Sequence, residues 1–128
     1  MLTRFFLVCL GGAVGSGARY ATALWAASAL GSVFPFGTLI VNLAGSFLLG
    51  FLMHAATATE LLSPDLRLML ATGVMGGFTT YSTFNYETTQ YFREGAWEVG
   101  FVNVAATLMG CLAAGLAGVA LARLIFGR

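Results

Sequence analysis

The stretch Gly73-Val-Met-Gly-Gly-Phe-Thr-Thr-Tyr-Ser-Thr-Phe-Asn-Tyr-Glu87 holds the densest set of reactive side-chain types in the chain. Tyr81 and Phe84 are three residues apart, which puts both rings on one face of a helix. Aromatic rings carry an electropositive edge. Two such edges can receive a small anion where carboxylates would repel it, or they can serve as ordinary packing. Thr79, Ser82 and Thr83 add hydroxyl donors beside them. These are neutral groups, able to replace the water around an ion without trapping it as a fixed charge would. Gly73, Gly76 and Gly77 loosen the backbone just before this run, and Glu87 after it either pairs with an arginine or caps a polar path.

Other polar groups stand in apolar surroundings. Asn42 lies in Gly37-Thr-Leu-Ile-Val-Asn-Leu-Ala-Gly45. Its amide either glues two helices through a hydrogen bond or donates to an anion. Asn103, Thr107 and Cys111 recur every four residues, hence on one helical stripe. That stripe is a polar track or another line of helix–helix bonds. Arg19, in Gly15-Ser-Gly-Ala-Arg-Tyr20, either extends to an interface or offers a positive field to anions. His54 reads as interfacial, and Trp25 and Trp97 as interface anchors.

The elements that must position these residues follow from hydropathy. The chain has 128 residues, of which 59% are hydrophobic and 9% charged, with a mean hydropathy of +0.88. Soluble domains carry roughly 25% charged residues, so the composition predicts an integral membrane protein of one domain. A span needs about 20 mainly apolar residues. Four segments are expected to be helical spans, at about 4–29, 36–56, 66–92 and 97–126. Gly31–Pro35 and Arg93-Glu94-Gly95 are the turns, and Thr57–Asp65 is a polar connection with Pro64 opening the next helix. The third span is expected to be broken within 73–84. Irregular backbone in lipid survives only where protein buries it or where it lines a polar cavity, so a break there marks an ion or substrate site. Gly11 and Gly15 form a GxxxG pair, and Ala106, Gly110, Ala114 and Gly118 form a row, both suited to close helix packing.

Several classes are excluded. An N-terminal signal peptide fails because apolar sequence runs on past Leu10 and no polar domain follows. The net charge is +1 and all six basic residues are scattered arginines, unlike the clustered basic face that nucleic acid requires. Cys9 and Cys111 have no metal-ligand spacing and read as small packing residues. No catalytic motif is present, so an enzyme is not expected. Arg4, Arg67, Arg123 and Arg128 share the side of the termini, opposite Arg93 and Arg19. This leans slightly towards cytoplasmic termini, weakly enough to allow insertion both ways. Four short helices cannot easily enclose a pathway, which favours an oligomer, a dimer being the simplest closed form.

Three of these stretches together, Gly15–Tyr20, Gly37–Phe47 and Gly76–Phe84 followed by Glu87, resemble the Fluc (CrcB-like) family of small bacterial fluoride channels. The resemblance implies an antiparallel, dual-topology homodimer in the bacterial inner membrane, with the broken third helices crossing at its centre. It implies a structural sodium ion on the backbone carbonyls of Gly76 and Thr79. It places Asn42, Tyr81, Ser82, Thr83, Phe84, Asn103 and Thr107 on a fluoride pathway, with Arg19, Thr38 and Glu87 supporting a vestibule. Tyr81 departs from the family's phenylalanine, and Cys111 from its hydroxyl. The implied function is passive fluoride export. The competing readings are a small proton-coupled multidrug exporter, which needs an intramembrane carboxylate that only Glu87 could supply, and a non-transporting membrane assembly subunit.

Overall fold

The computed structural model describes residues 1–59 and 62–127. Glu60 and Leu61, inside the expected Thr57–Asp65 connection, and Arg128, counted among the arginines near the termini, lie outside the described residues. The described residues form helices joined by short turns, with no strand. In order they are α1 (Leu2–Leu30), α2 (Phe36–Ala58), α3 (Pro64–Leu68), a π-helical stretch (Met69–Met75), α4 (Gly76–Phe78), α5 (Tyr81–Arg93) and α6 (Trp97–Phe126). The chain winds without interruption from α3 through the π-helical stretch to α4, since Met69 and Gly76 both keep right-handed helical dihedrals.

Local chemistry fixes the boundaries. Ser63 caps α3 by accepting a hydrogen bond from the Leu66 amide at 3.2 Å, with Pro64 at the first helical position and Asp65 in the first turn. All three suit a helix N-terminus. Gly95 takes φ +79° between α5 and α6, a left-handed conformation that favours glycine, and the Ala96 amide bonds the Tyr91 carbonyl at 2.8 Å.

Packing follows the small residues. Gly11, Gly15 and Gly73 are buried where α1 meets the third helical segment. A Cβ on Gly11 would sit 2.6 Å from the Met69 carbonyl oxygen, and one on Gly15 would overlap that of Val74. On α6, a Cβ at Gly118 would overlap the Phe47 carbonyl of α2, and Gly110 faces Leu43. Two backbone pairs, α1 with the π-helical stretch and α2 with α6, thus touch almost directly. Little of the chain is fully enclosed: Val41 and Asn103 are its largest fully buried side chains, while Leu10, Val14, Leu112, Leu116 and Leu124 stand exposed.

Among the described residues two helices, α2 and α6, are long and apolar enough to cross a membrane. At about 1.5 Å per residue, the 23 residues of α2 exceed a hydrocarbon core of about 30 Å. Helix α1 has 29 residues, but its glycines, Ser16 and Arg19 dilute its apolar character. The third segment is shortened by an interruption at Thr79 and Thr80.

Candidate functional site

The interruption is built from three side chains. Thr79 has φ −85° and ψ 159°, and Thr80 has φ −153° and ψ 119°. Both are extended rather than helical. Thr79 stays tied to the preceding turn, since its amide and its hydroxyl both donate to the Met75 carbonyl, at 3.0 and 2.9 Å. Thr80 is clasped by Asn42 from α2. The Thr80 amide donates to Asn42 Oδ1 at 2.8 Å, and Asn42 Nδ2 donates to the Thr80 carbonyl at 2.9 Å. Thr80 then caps α5, its hydroxyl oxygen accepting from the Thr83 amide at 3.2 Å. An N-cap hydroxyl satisfies a donor that has no partner inside the helix.

These bonds redirect two donors. In a continuous helix the Thr80 amide would bond the Gly76 carbonyl, and the Thr83 amide that of Thr79. Here the first goes to Asn42 and the second to the Thr80 hydroxyl. The Gly76 and Thr79 carbonyls therefore lose the partners a regular helix would give them. Carbonyl oxygens freed in this way are suitable ligands for a hard cation.

Two clefts meet at Thr80, which lines both. The first, of about 410 Å³, is lined by Asn42, Thr79, Tyr81, Phe84, Thr107 and Cys111 among others. Among the described residues no carboxylate, lysine or arginine lines it. The Tyr81 and Phe84 ring centroids are 5.6 Å apart, tilted at 57°; Phe84 is buried and Tyr81 is 73% exposed. The second cleft, of about 320 Å³, is lined by Ser16, Arg19, Thr38, Thr83 and Glu87. Glu87 pairs with a hydroxyl: Thr38 donates to its Oε1 at 2.8 Å, and its buried Oε2 has no hydrogen-bond partner among the described residues. Among the described residues the ion pair present is Arg4 with Asp65, at 2.8 Å and exposed. Arg19 is therefore unpaired beside Glu87.

Against the residues expected from sequence, the first cleft gathers Asn42, Tyr81, Phe84 and Thr107, and the second gathers Arg19, Thr38, Thr83 and Glu87. Ser82 is exposed next to them, 3.3 Å from the Thr80 hydroxyl. Gly76 lines neither cleft, and neither does Asn103, which is fully buried between α5 and α6. The stripe of residues at four-residue spacing on α6 thus divides, with Thr107 and Cys111 on the cleft and Asn103 inside.

A family model described as "CrcB-like protein, Camphor Resistance (CrcB)" matches residues 6–119. The chain belongs to the CrcB-like family. Among curated members similar to it is the "Fluoride-specific ion channel FluC" of Anaeromyxobacter dehalogenans, 54% identical over 98% of this chain and 100% of that one. The protein of the same name from Sorangium cellulosum is 52% identical, with 95% of this chain and 96% of that one covered. The one from Geobacter sulfurreducens is 43% identical, with 95% and 98% covered. A CrcB-like chain is a membrane protein, in keeping with the apolar α2 and α6.

Two residues of this CrcB-like chain escaped sequence reasoning. Thr80 is the hub of the site, with backbone and side chain both engaged. The signal was a threonine ahead of a helical run with another hydroxyl at the third position, but Thr79 fits the cap position nearly as well. Thr88 is buried and bonds the Phe84 carbonyl at 2.7 Å. A hydroxyl in mid-helix often bonds back one turn, and that was its only trace.

Proposed function

We propose that this protein is a fluoride-selective channel of the bacterial inner membrane, letting fluoride leave the cytoplasm passively. The observation that carries it is the neutral cleft at the interruption, where Asn42, Thr80, Tyr81, Phe84 and Thr107 converge. Fluoride is small and strongly hydrated, so a pathway must offer several donors in place of water. It must also release the ion, and a cleft lined by no cationic side chain favours release. The amino end of α5 adds backbone donors and the positive end of a helix dipole. The names of the curated relatives support the same ion.

The pathway runs from the second cleft, where Arg19 supplies a positive field and Thr38 holds Glu87, past Thr83 and Ser82 to Thr80. It continues along the ring edges of Tyr81 and Phe84 to Thr107. The channel is a homodimer of antiparallel copies. Ser82, Thr83, Asn85, Tyr86 and Thr89 of α5 are exposed on a single chain, and a polar flank facing acyl chains is costly. A second copy covers it. The Gly76 and Thr79 carbonyls, deprived of their helical donors, suit a sodium ion, which when bound supplies a fixed positive charge that pins the irregular backbone.

Fluoride efflux from liposomes, read with an ion-selective electrode, tests the proposal. Efflux should be fast for fluoride and slow for chloride, with no need for a proton gradient or ATP. Replacing both rings, Tyr81→Ile with Phe84→Ile, should abolish it while the assembly stays intact. Equal chloride flux, or no flux from well-folded protein, would sink the channel. Proton-driven uptake of cationic drugs would instead identify Glu87 as the carboxylate of an exporter.

A further inference from the structure

Asn103 stands between two residues of the cleft without lining it. It is 1% exposed. Its Nδ2 donates to Thr88 Oγ1 at 3.0 Å, and Thr88 in turn donates to the Phe84 carbonyl at 2.7 Å. At the other end of the same amide, Oδ1 accepts from Thr107 Oγ1 at 3.5 Å. Phe84 and Thr107 line the cleft, whereas Asn103 and Thr88 do not. One amide therefore reaches, through one intermediate hydroxyl, the backbone of the buried ring and, directly, the hydroxyl opposite it.

We propose that Asn103 is a positioning residue, setting Phe84 on α5 and the Thr107 hydroxyl on α6 relative to one another rather than contacting the ion. The assignment rests on the channel reading above. An amide suits the task because it carries a donor at one end and an acceptor at the other. Leucine has neither, and aspartate would lose the donor that Thr88 receives. The bond to Thr107 is long compared with the usual 2.7–2.8 Å or so between two oxygens. At 3.5 Å the contact is weak, so the Thr107 hydroxyl is free to turn and donate to an anion in the cleft. The bond to Thr88 is shorter and holds the helices in register. The sequence stripe of Asn103, Thr107 and Cys111 accordingly serves two purposes, with the outer members facing the ion and Asn103 holding them in place.

Initial fluoride efflux from liposomes should be compared for wild type, Asn103→Leu, Thr88→Val, the double variant and Thr88→Ser, each first checked for monodisperse assembly. Asn103→Leu and Thr88→Val should each slow efflux about tenfold, by analogy with the loss seen when the hydrogen-bond partner behind a metal ligand is removed. The double variant should be no slower than Asn103→Leu alone, because Thr88→Val cuts only a chain of bonds that Asn103→Leu has already broken. Thr88→Ser keeps the hydroxyl and should conduct like wild type. If Asn103→Leu does not assemble, the contrast between Thr88→Val and Thr88→Ser decides the matter. Three results overturn the assignment alone: efflux lost in Asn103→Leu but normal in Thr88→Val, losses that multiply in the double variant, or Thr88→Ser as slow as Thr88→Val. A wild type that passes no fluoride overturns the channel reading together with this one.

Discussion

Asn42 replaces a missing turn of helix with one side chain. Its amide meets both the N–H and the C=O of Thr80, which the interruption would otherwise leave buried and unbonded. Replacing it with leucine keeps the volume and removes both bonds. Each orphaned group costs about 1–3 kcal/mol, so Asn42→Leu should lower the melting temperature of the detergent-solubilised protein and stop fluoride efflux. Unchanged melting would mean that the clasp adds nothing to stability. Among single residues, legibility in the sequence was uneven. The type and spacing of Asn42, Tyr81, Phe84 and Thr107 sufficed to bring them forward, because amides and paired rings in apolar sequence are few. Their partners were not legible. Nothing in the order of residues says that Asn42 bonds Thr80, 38 positions away, or that Glu87 bonds Thr38 rather than an arginine. Such pairings depend on how helices cross, which periodicity along one helix does not encode.

For the helices themselves, hydropathy and punctuation were good guides. The expected segment at 97–126 coincides with α6, and Gly31, Pro64 and Gly95 stand at helix boundaries. These residues act locally, through backbone dihedrals and missing donors, so their effect is readable without the rest of the fold. The π-helical winding of Met69–Met75 was not foreseen. Its sequence, Met-Leu-Ala-Thr-Gly-Val-Met, reads as an ordinary helix. The wider winding lies where Gly11 and Gly73 bring α1 and this stretch into backbone contact. It is a tertiary feature, and π-helical turns often lie beside functional sites. The stripe of Asn103, Thr107 and Cys111, which spacing reads as either a polar track or helix–helix bonds, divides for a similar reason: equal spacing names one face of α6, but α5 covers only part of that face.

At the level of the whole molecule, the exposed hydroxyl flank of α5 and the polar Gly76–Thr80 segment are what a lone chain leaves unresolved. In the proposed dimer a cysteine at Ser82, in a chain lacking Cys9 and Cys111, should link two copies under mild oxidation in membranes. Labels at the termini should be accessible from both sides of the bilayer. Termini all on one side would rule out the antiparallel arrangement, and failure to link would place Ser82 away from the partner. In the proposed dimer, where a twin covers the polar flank, endurance in the bilayer is a bimolecular property. Freshly inserted copies are at their most vulnerable to proteolysis while they are scarce, and resistance to unfolding should climb with the number of chains per lipid, as mass action requires of any obligate pair.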